Sequence, residues 1–283
     1  MNLAVKVDAG TFFDLKPLSP VIGAELHGID LREELSDAAI AAIRQALLDW
    51  KVVFFRDQHI TRAQHIAFAR RFGDLEIHPA TPKDQPDPEV LRIEHGEKSK
   101  GQENAWHSDV TWRATPSLGS ILRSIEIPPV GGDTLFANME AAYDGLSPQM
   151  KRFAEGLTAK HDIARVFAKR LSKEADELRA KYPVQDHPVI RTHPETGKRA
   201  IYVNTAFTES INGLTKKESD WLLEHLYAQA ANPEIQCRFR WTPNALAFWD
   251  NRSSQHFAAS DYFPQRRVME RVTIKGDRPF FTA

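Results

Sequence analysis

Trp106-His107-Ser108-Asp109-Val110 brings an imidazole and a carboxylate within two residues of each other, flanked by apolar side chains. At the end of a β-strand, positions i and i+2 point the same way, so His107 and Asp109 can meet one ion together. Two histidines and one carboxylate on one face of iron(II) leave its other coordination positions open for chemistry. The third ligand should be a His far along the chain at the end of another strand, and His256 stands just after Phe248-Trp249-Asp250-Asn251-Arg252. A pair as short as H-x-D also recurs without a metal, as a loop His beside an N-capping Asp. A second pattern lies in 267–274, where Arg267, Met269, Arg271 and Thr273 alternate with Val268, Glu270, Val272 and Ile274. Two arginines at that spacing share a strand face ~13 Å apart. Turned inward, both need anionic partners, and a guanidinium suits a carboxylate or sulfonate. Turned outward, they are surface ion pairs. The pattern alone leaves both open.

Those residues need rigid elements to aim them. Ser36 caps a helix with apolar residues Ile40, Ile43, Leu47 and Trp50 at helical spacing. Val52-Val53-Phe54-Phe55 reads as a buried strand, and Thr61-x-x-Gln64 as a capping box with Gly73 placed to end its helix. Strands are expected at 21–31, 90–93, 119–125, 133–137, 245–249 and 267–274, with a polar loop at 95–104 leading into His107. Pro194-Glu195-Thr196-Gly197 separates two strands of a hairpin, and Thr215-x-x-Glu218 opens another helix. Ile235, Cys237, Phe239 and Trp241 alternate with polar residues, the mark of a half-buried strand. The charged run 169–181 reads as a solvated helix or a mobile insertion. With no repeat or linker, the expectation is one domain, α+β but mainly β: a jelly roll decorated with helices.

Bulk properties exclude several classes. The chain has 283 residues, 37 basic against 38 acidic, which gives no electrostatic case for nucleic acid or an anionic membrane. Cys237 is the single cysteine, so no internal disulfide forms and a reducing compartment is expected. No leader and no membrane-length apolar run is visible, pointing to the cytoplasm. Sixteen Phe and six Trp suggest a substantial core or a pocket lined with rings, and Cys237 itself reads as a buried apolar residue.

Taken in order, Lys51-Val52-Val53-Phe54-Phe55-Arg56-Asp57-Gln58, Trp106-His107-Ser108-Asp109-Val110, Gly131-Gly132-Asp133-Thr134, His187-Pro188-Val189, Thr192-His193-Pro194, Trp249-Asp250-Asn251-Arg252 with Gln255-His256, and Gln265-Arg266-Arg267 form a specific series. It resembles the taurine/2,4-D dioxygenase family of iron(II)- and 2-oxoglutarate-dependent oxygenases, from Gly23-Ala24 to Gly276-Asp277-Arg278-Pro279-Phe280. The resemblance implies a double-stranded β-helix, or cupin-like jelly roll, forming one catalytic domain over 1–283, with a mobile lid around 162–186. It implies that His107, Asp109 and His256 hold Fe(II), that Arg267 and Thr134 grip the distal carboxylate of 2-oxoglutarate, and that O2 is the oxidant. Arg271, His78 and the backbone at Val110 match contacts to a substrate anion, and Phe167 and Phe207 match pocket aromatics. A homo-oligomer, dimer or tetramer, is also implied.

Two further positions that match substrate contacts depart from taurine-specific members: Thr81 stands where they carry Tyr, and Glu103 where they carry Asn. With the anion contacts Arg271 and His78 retained, the expected partner is a small anionic organic substrate, and these two departures weigh against taurine itself. An alkyl sulfonate or alkyl sulfate ester heads the expectation, hydroxylated beside sulfur or its ester oxygen to give an aldehyde and sulfite or sulfate, with succinate and CO2. The alternatives are an aryloxyalkanoate or other small carboxylate, and a jelly-roll metal protein without turnover. His161, which precedes Phe167, is expected near the pocket. The other histidines read as structural or exposed.

Overall fold

In Val52–Phe55 every residue is apolar, and alternation sends Val53 and Phe55 to one face and Val52 and Phe54 to the other. All four are fully buried, so this strand lies in the middle of a sheet covered on both sides. The structure, a computed structural model, describes residues 12–78, 81, 85–101, 104–170 and 174–283. Its main sheet has eight strands: Asp14–Pro17, Ala24–His27, Val52–Phe55, Leu246–Asp250, Gly119–Glu126, Arg267–Ile274 and Leu75–Glu76 in spatial order, with Val90–His95 also paired to Arg267–Ile274. Pairing is antiparallel except between Ala24–His27 and Val52–Phe55.

A three-stranded sheet, Gln236–Phe239, Thr134–Asn138 and Ser254–Ala258, lies across from it. Phe54, Trp249, Leu122 and Met269 of the large sheet pack with Phe136, Cys237 and Phe239 of the small one in a shared core. The opposite face of the large sheet, carrying Val53, Phe55, Ile121, Phe248, Val272 and Ile274, is covered by helices Asp37–Trp50 and Arg62–Arg70 through Ile43, Leu47 and Phe68. Both helices begin as their sequences predict: Ser36 Oγ accepts from Ala39 N–H, and Thr61 with Gln64 closes a capping box. A third core gathers around helix Lys216–Gln229 and the hairpin Ile190–Thr192/Arg199–Ile201.

Met269 lies inside the shared core, so Arg267, Arg271 and Thr273, at even spacing from it, face the space between the sheets. That settles the open question: both arginines are internal. The run 169–181 forms the end of helix Ala164–Arg170 and helix Ala175–Lys181, with Leu178 buried and Arg179 bonded to the fully buried Asp162 at 2.6 Å. Residues 171–173 and Glu103 lie outside the described residues. Among the described residues, no helix is long and apolar enough to cross a membrane.

Candidate active site

His107, Asp109 and His256 come together at one end of the space between the sheets, with their ligand atoms within 4.8 Å of one another. His256 belongs to strand Ser254–Ala258 and stands opposite Phe136. Contrary to the sequence expectation, His107 and Asp109 do not end a regular strand. His107 makes a single bridge to His256, through backbone bonds of 3.1 and 2.8 Å, and the chain then turns. Val110 sits at φ 48°, a left-handed conformation that a β-branched residue rarely adopts. Strand alternation therefore does not aim this pair. Asn251 does: its Oδ1 accepts from Asp109 N–H at 2.6 Å, and its Nδ2 donates to Asp109 O at 3.0 Å and Ser117 O at 3.2 Å. Ser108 Oγ adds a bond to Ser254 O at 2.9 Å. The turn thus rides on the segment that delivers His256, and strain at Val110 is held by these bonds.

The donor set suits a divalent metal such as iron(II). His107 Nδ1 lies 2.7 Å from Ala105 O; donation there leaves Nε2 as the lone-pair nitrogen. Burial, with the neighbouring His107, lowers His256 to about 3, so its ring is neutral at physiological pH. Its Nδ1 is buried with no hydrogen-bond partner among the described residues. Burial alone would push the Asp109 carboxyl upward, but the Arg271 guanidinium, the strongest opposing influence, outweighs it and holds the group well below the usual carboxylate range. The neutral His256 ring, His107 Nε2 and a firmly ionised carboxylate face one point.

Around that point lies a cavity of about 370 Å³. His107, Asp109, Arg271 and His78 give it a polar end, and Leu91, Ile93, Val110, Val166, Phe167, Ala206 and Phe207 make most of the remaining wall. Phe167 and Phe207 are stacked, with centroids 6.5 Å apart. Arg271 donates to Asp109 Oδ1 at 3.0 Å. His78 follows strand Leu75–Glu76, which pairs with the strand of Arg271; burial and the charges of Arg271 and Arg113 lower it to about 3, so it too is neutral. The Val110 N–H has no hydrogen-bond partner among the described residues.

Arg267 and Thr134 lie beside the triad. Thr134 is two residues from Phe136 on its strand, placing its hydroxyl ~7 Å along the same face as His256. That hydroxyl accepts from Trp241 Nε1 at 2.9 Å and keeps its own hydrogen to donate. Arg267 is 6% exposed, near the rings of Trp241 and Tyr262 at 6.0 and 5.8 Å. Gly132 opens this space: a Cβ there would stand 3.1 Å from Arg267 Cδ and 3.2 Å from Tyr262 Cδ1. A buried guanidinium, a free hydroxyl hydrogen and a bare glycine next to a metal triad fit an elongated dicarboxylate that reaches the metal at one end.

Other expectations meet a different outcome. Thr81 is buried and bonded through its N–H to His78 O, outside the cavity wall. His161, at the end of strand Thr158–His161, is fully buried directly behind the wall, near the pocket as expected but not lining it: its Nδ1 is 2.9 Å from Oγ1 of Thr111, which follows the lining residue Val110. Leu91 and Ile93 were not singled out, although alternation in 90–93 puts them on one face, and Leu91 pairs in register with Arg271.

The comparisons agree with this geometry. Residues 14–273 match the family described as taurine catabolism dioxygenase TauD, TfdA. The chain is 36% identical over 274 residues to an alkylsulfatase of Acinetobacter baylyi, covering 93% of this chain and 85% of the relative. It is 34% identical to an alpha-ketoglutarate-dependent sulfate ester dioxygenase of Pseudomonas putida, covering 94% and 90%. A crystal structure of a taurine dioxygenase from Burkholderia xenovorans superposes with a TM-score of 0.83 at 41% identity, covering 95% of this chain and 91% of that one. With site, fold and sequence in agreement over almost its whole length, the chain belongs to the TauD, TfdA family and is an iron(II)- and 2-oxoglutarate-dependent dioxygenase.

Proposed function

We propose that the enzyme hydroxylates the carbon next to the sulfate of a small alkyl sulfate ester, or the sulfonate of an alkyl sulfonate, releasing an aldehyde and sulfate or sulfite. The observation that carries this reading is the cavity itself: an anion-binding end at Arg271 and His78 beside the triad, continued by an apolar wall. Phe167, Phe207, Leu91 and Ile93 suit an alkyl chain longer than the two carbons of taurine. The sulfate ester and alkylsulfatase relatives point the same way.

In this reading His107, Asp109 and His256 hold iron(II), and Arg267 with Thr134 binds the far carboxylate of 2-oxoglutarate. When bound, the metal and cosubstrate supply the oxidative chemistry, consuming O2 and converting 2-oxoglutarate to succinate and CO2 as one oxygen enters a substrate C–H bond. The chain's own residues position and exclude. Arg271, neutral His78 and the Val110 N–H fix the anionic head, so that the adjacent carbon is the one presented to the triad. Phe167 and Phe207 close over the tail and keep water out. The hydroxylated carbon then carries both a hydroxyl and a sulfur-containing leaving group; as the hydroxyl proton leaves, the carbonyl forms and the C–O or C–S bond breaks.

The facing sheets are taken as the walls of a double-stranded β-helix, with 1–283 acting as one catalytic domain and 162–186 as a lid over the tail. The lid reading draws support from Val166 and Phe167, which line the cavity from helix Ala164–Arg170. A cytoplasmic homo-oligomer, dimer or tetramer, completes the proposal, supported by the buried free thiol of Cys237 and by the family resemblance.

The test is O2- and iron(II)-dependent succinate release, screened over taurine, longer alkyl sulfonates, alkyl sulfates and phenoxyacetates. Alkyl sulfates of several carbons should stimulate it most. Stimulation by phenoxyacetates alone would move the substrate to the carboxylate class. In the same assay Arg271→Ala should weaken substrate binding ~30-fold or more, about 2 kcal/mol for truncating one side of a buried charge pair. Arg267→Ala should instead raise the 2-oxoglutarate requirement. An exchange of these two phenotypes would reverse the assignments.

A further inference from the structure

Asp109 Oδ1 is the meeting point of two cation sites. It accepts from Arg271 Nη1 at 3.0 Å and lies 3.8 Å from His107 Nε2, inside the three-residue cluster that could hold a metal. The other oxygen, Oδ2, accepts a 3.3 Å bond from Ser120 Oγ, which is itself fixed against Thr273 at 3.2 Å. The carboxylate is thereby pinned with Oδ1 toward both the cluster and the guanidinium. Arg271 is not fully used by this contact: its Nε is buried with no hydrogen-bond partner among the described residues, while its side chain lines the cavity. Glu76, the nearby acid, is taken by Arg113 at 2.5 Å.

From this arrangement we infer that Arg271 couples the binding of the substrate anion to the binding of the metal through Asp109, a role that rests on the anion-binding reading above. A guanidinium on the ligand oxygen competes with a divalent cation for that oxygen's charge, and in a buried site the repulsion is poorly screened. An anion on Arg271 neutralises the competitor and returns the charge of Asp109 to the metal. The effect is reciprocal: a metal on Asp109 frees Arg271 for the anion and raises anion affinity by the same factor. Arg271 is thus a positioning residue for the metal as well as a substrate contact. The site holds its metal most firmly when substrate is present.

The test measures Mn(II) binding to the metal-free full-length protein by calorimetric titration, without 2-oxoglutarate or turnover. It is run with and without hexyl sulfate at constant ionic strength. For the unaltered protein, hexyl sulfate should tighten Mn(II) on the order of tenfold. Arg271→Gln should bind Mn(II) more tightly than the unaltered protein, by a similar factor, and should not respond to hexyl sulfate. Arg271→Lys, which keeps the charge, should leave Mn(II) affinity near that of the unaltered protein and provides a second variant if the Gln form folds poorly. Equal or weaker Mn(II) binding by Arg271→Gln would overturn the inference, as would hexyl sulfate binding that leaves Mn(II) affinity unmoved. Should hexyl sulfate fail to bind at all while Arg271→Gln still tightens Mn(II), the competition at Asp109 stands and the sulfate ester reading falls.

Discussion

Asp109→Ala is expected to abolish metal-dependent turnover and to lower Mn(II) affinity by more than ~100-fold, beyond the 10–100-fold that loss of an outer-shell partner typically costs. The carboxylate is the one anionic member of the three-residue cluster, and without it two imidazoles face a divalent ion with the Arg271 charge close by. The loss should be local. Asn251 grips Asp109 by its backbone N–H and C=O, so the turn keeps its hold after the side chain is removed. Far-UV circular dichroism should therefore be unchanged while calorimetry shows the loss of metal. Wild-type metal affinity in this variant would show that the metal is held elsewhere.

Asp250→Ala should cost about 3–5 kcal/mol at neutral pH, the penalty for leaving a buried charge without its partner. Asp250 is fully buried at the end of strand Leu246–Asp250. It accepts from Arg252 Nε at 2.9 Å and Arg252 Nη2 at 2.7 Å, and its Oδ2 lies 3.0 Å from His193 Nε2. Arg252 is 4% exposed and, among the described residues, keeps only Glu195, at 2.7 Å, as a carboxylate partner once Asp250 is gone. The cost should depend on pH in a defined direction. Burial alone raises the Asp250 carboxyl, but the Arg252 charge, its bonds and His193 outweigh burial and hold the folded-state value well below the ordinary one. A carboxyl lowered on folding contributes stability that is complete above its unfolded value, ~3.9, and is lost as pH falls through the folded one. Denaturant titrations should thus show a constant gap between the two proteins from pH 7 to about 5, narrowing below about 4. A gap that widened on acidification would mean that Asp250 is not held ionised by Arg252. Because Asn251 is the next residue, the variant should also bind Mn(II) less tightly, with the clamp on Asp109 loosened.

Local signals were the most legible part of this chain. Thr61/Gln64 and Thr215/Glu218 close capping boxes within four residues, and the last strand runs from Arg267 to Ile274 as its alternation predicts. Each depends on neighbours in sequence. The candidate ligands His107, Asp109 and His256 were legible as residue types in order, and they converge. What aims them was not. Asn251 reaches Asp109 across 142 residues, the bond from Arg271 to Asp109 spans 162, and no periodicity encodes either. The strand-end expectation for His107 failed for the same reason: a one-bridge contact to His256 and a positive φ at Val110 replace regular alternation. Whether the face of Arg267 and Arg271 is internal depends on the second sheet, whose strands Gln236–Phe239, Thr134–Asn138 and Ser254–Ala258 come from distant parts of the chain. His161, expected near the pocket from its place before Phe167, is held directly behind the wall by Thr111, a partner 50 residues away that no local pattern indicates.

The most direct test of the substrate assignment is stoichiometry under single-substrate turnover. Purified enzyme with iron(II), 2-oxoglutarate, O2 and hexyl sulfate should release inorganic sulfate, hexanal and succinate in equal amounts. Succinate formed without inorganic sulfate, or sulfate released without 2-oxoglutarate, would contradict oxidation at the carbon bearing the sulfate.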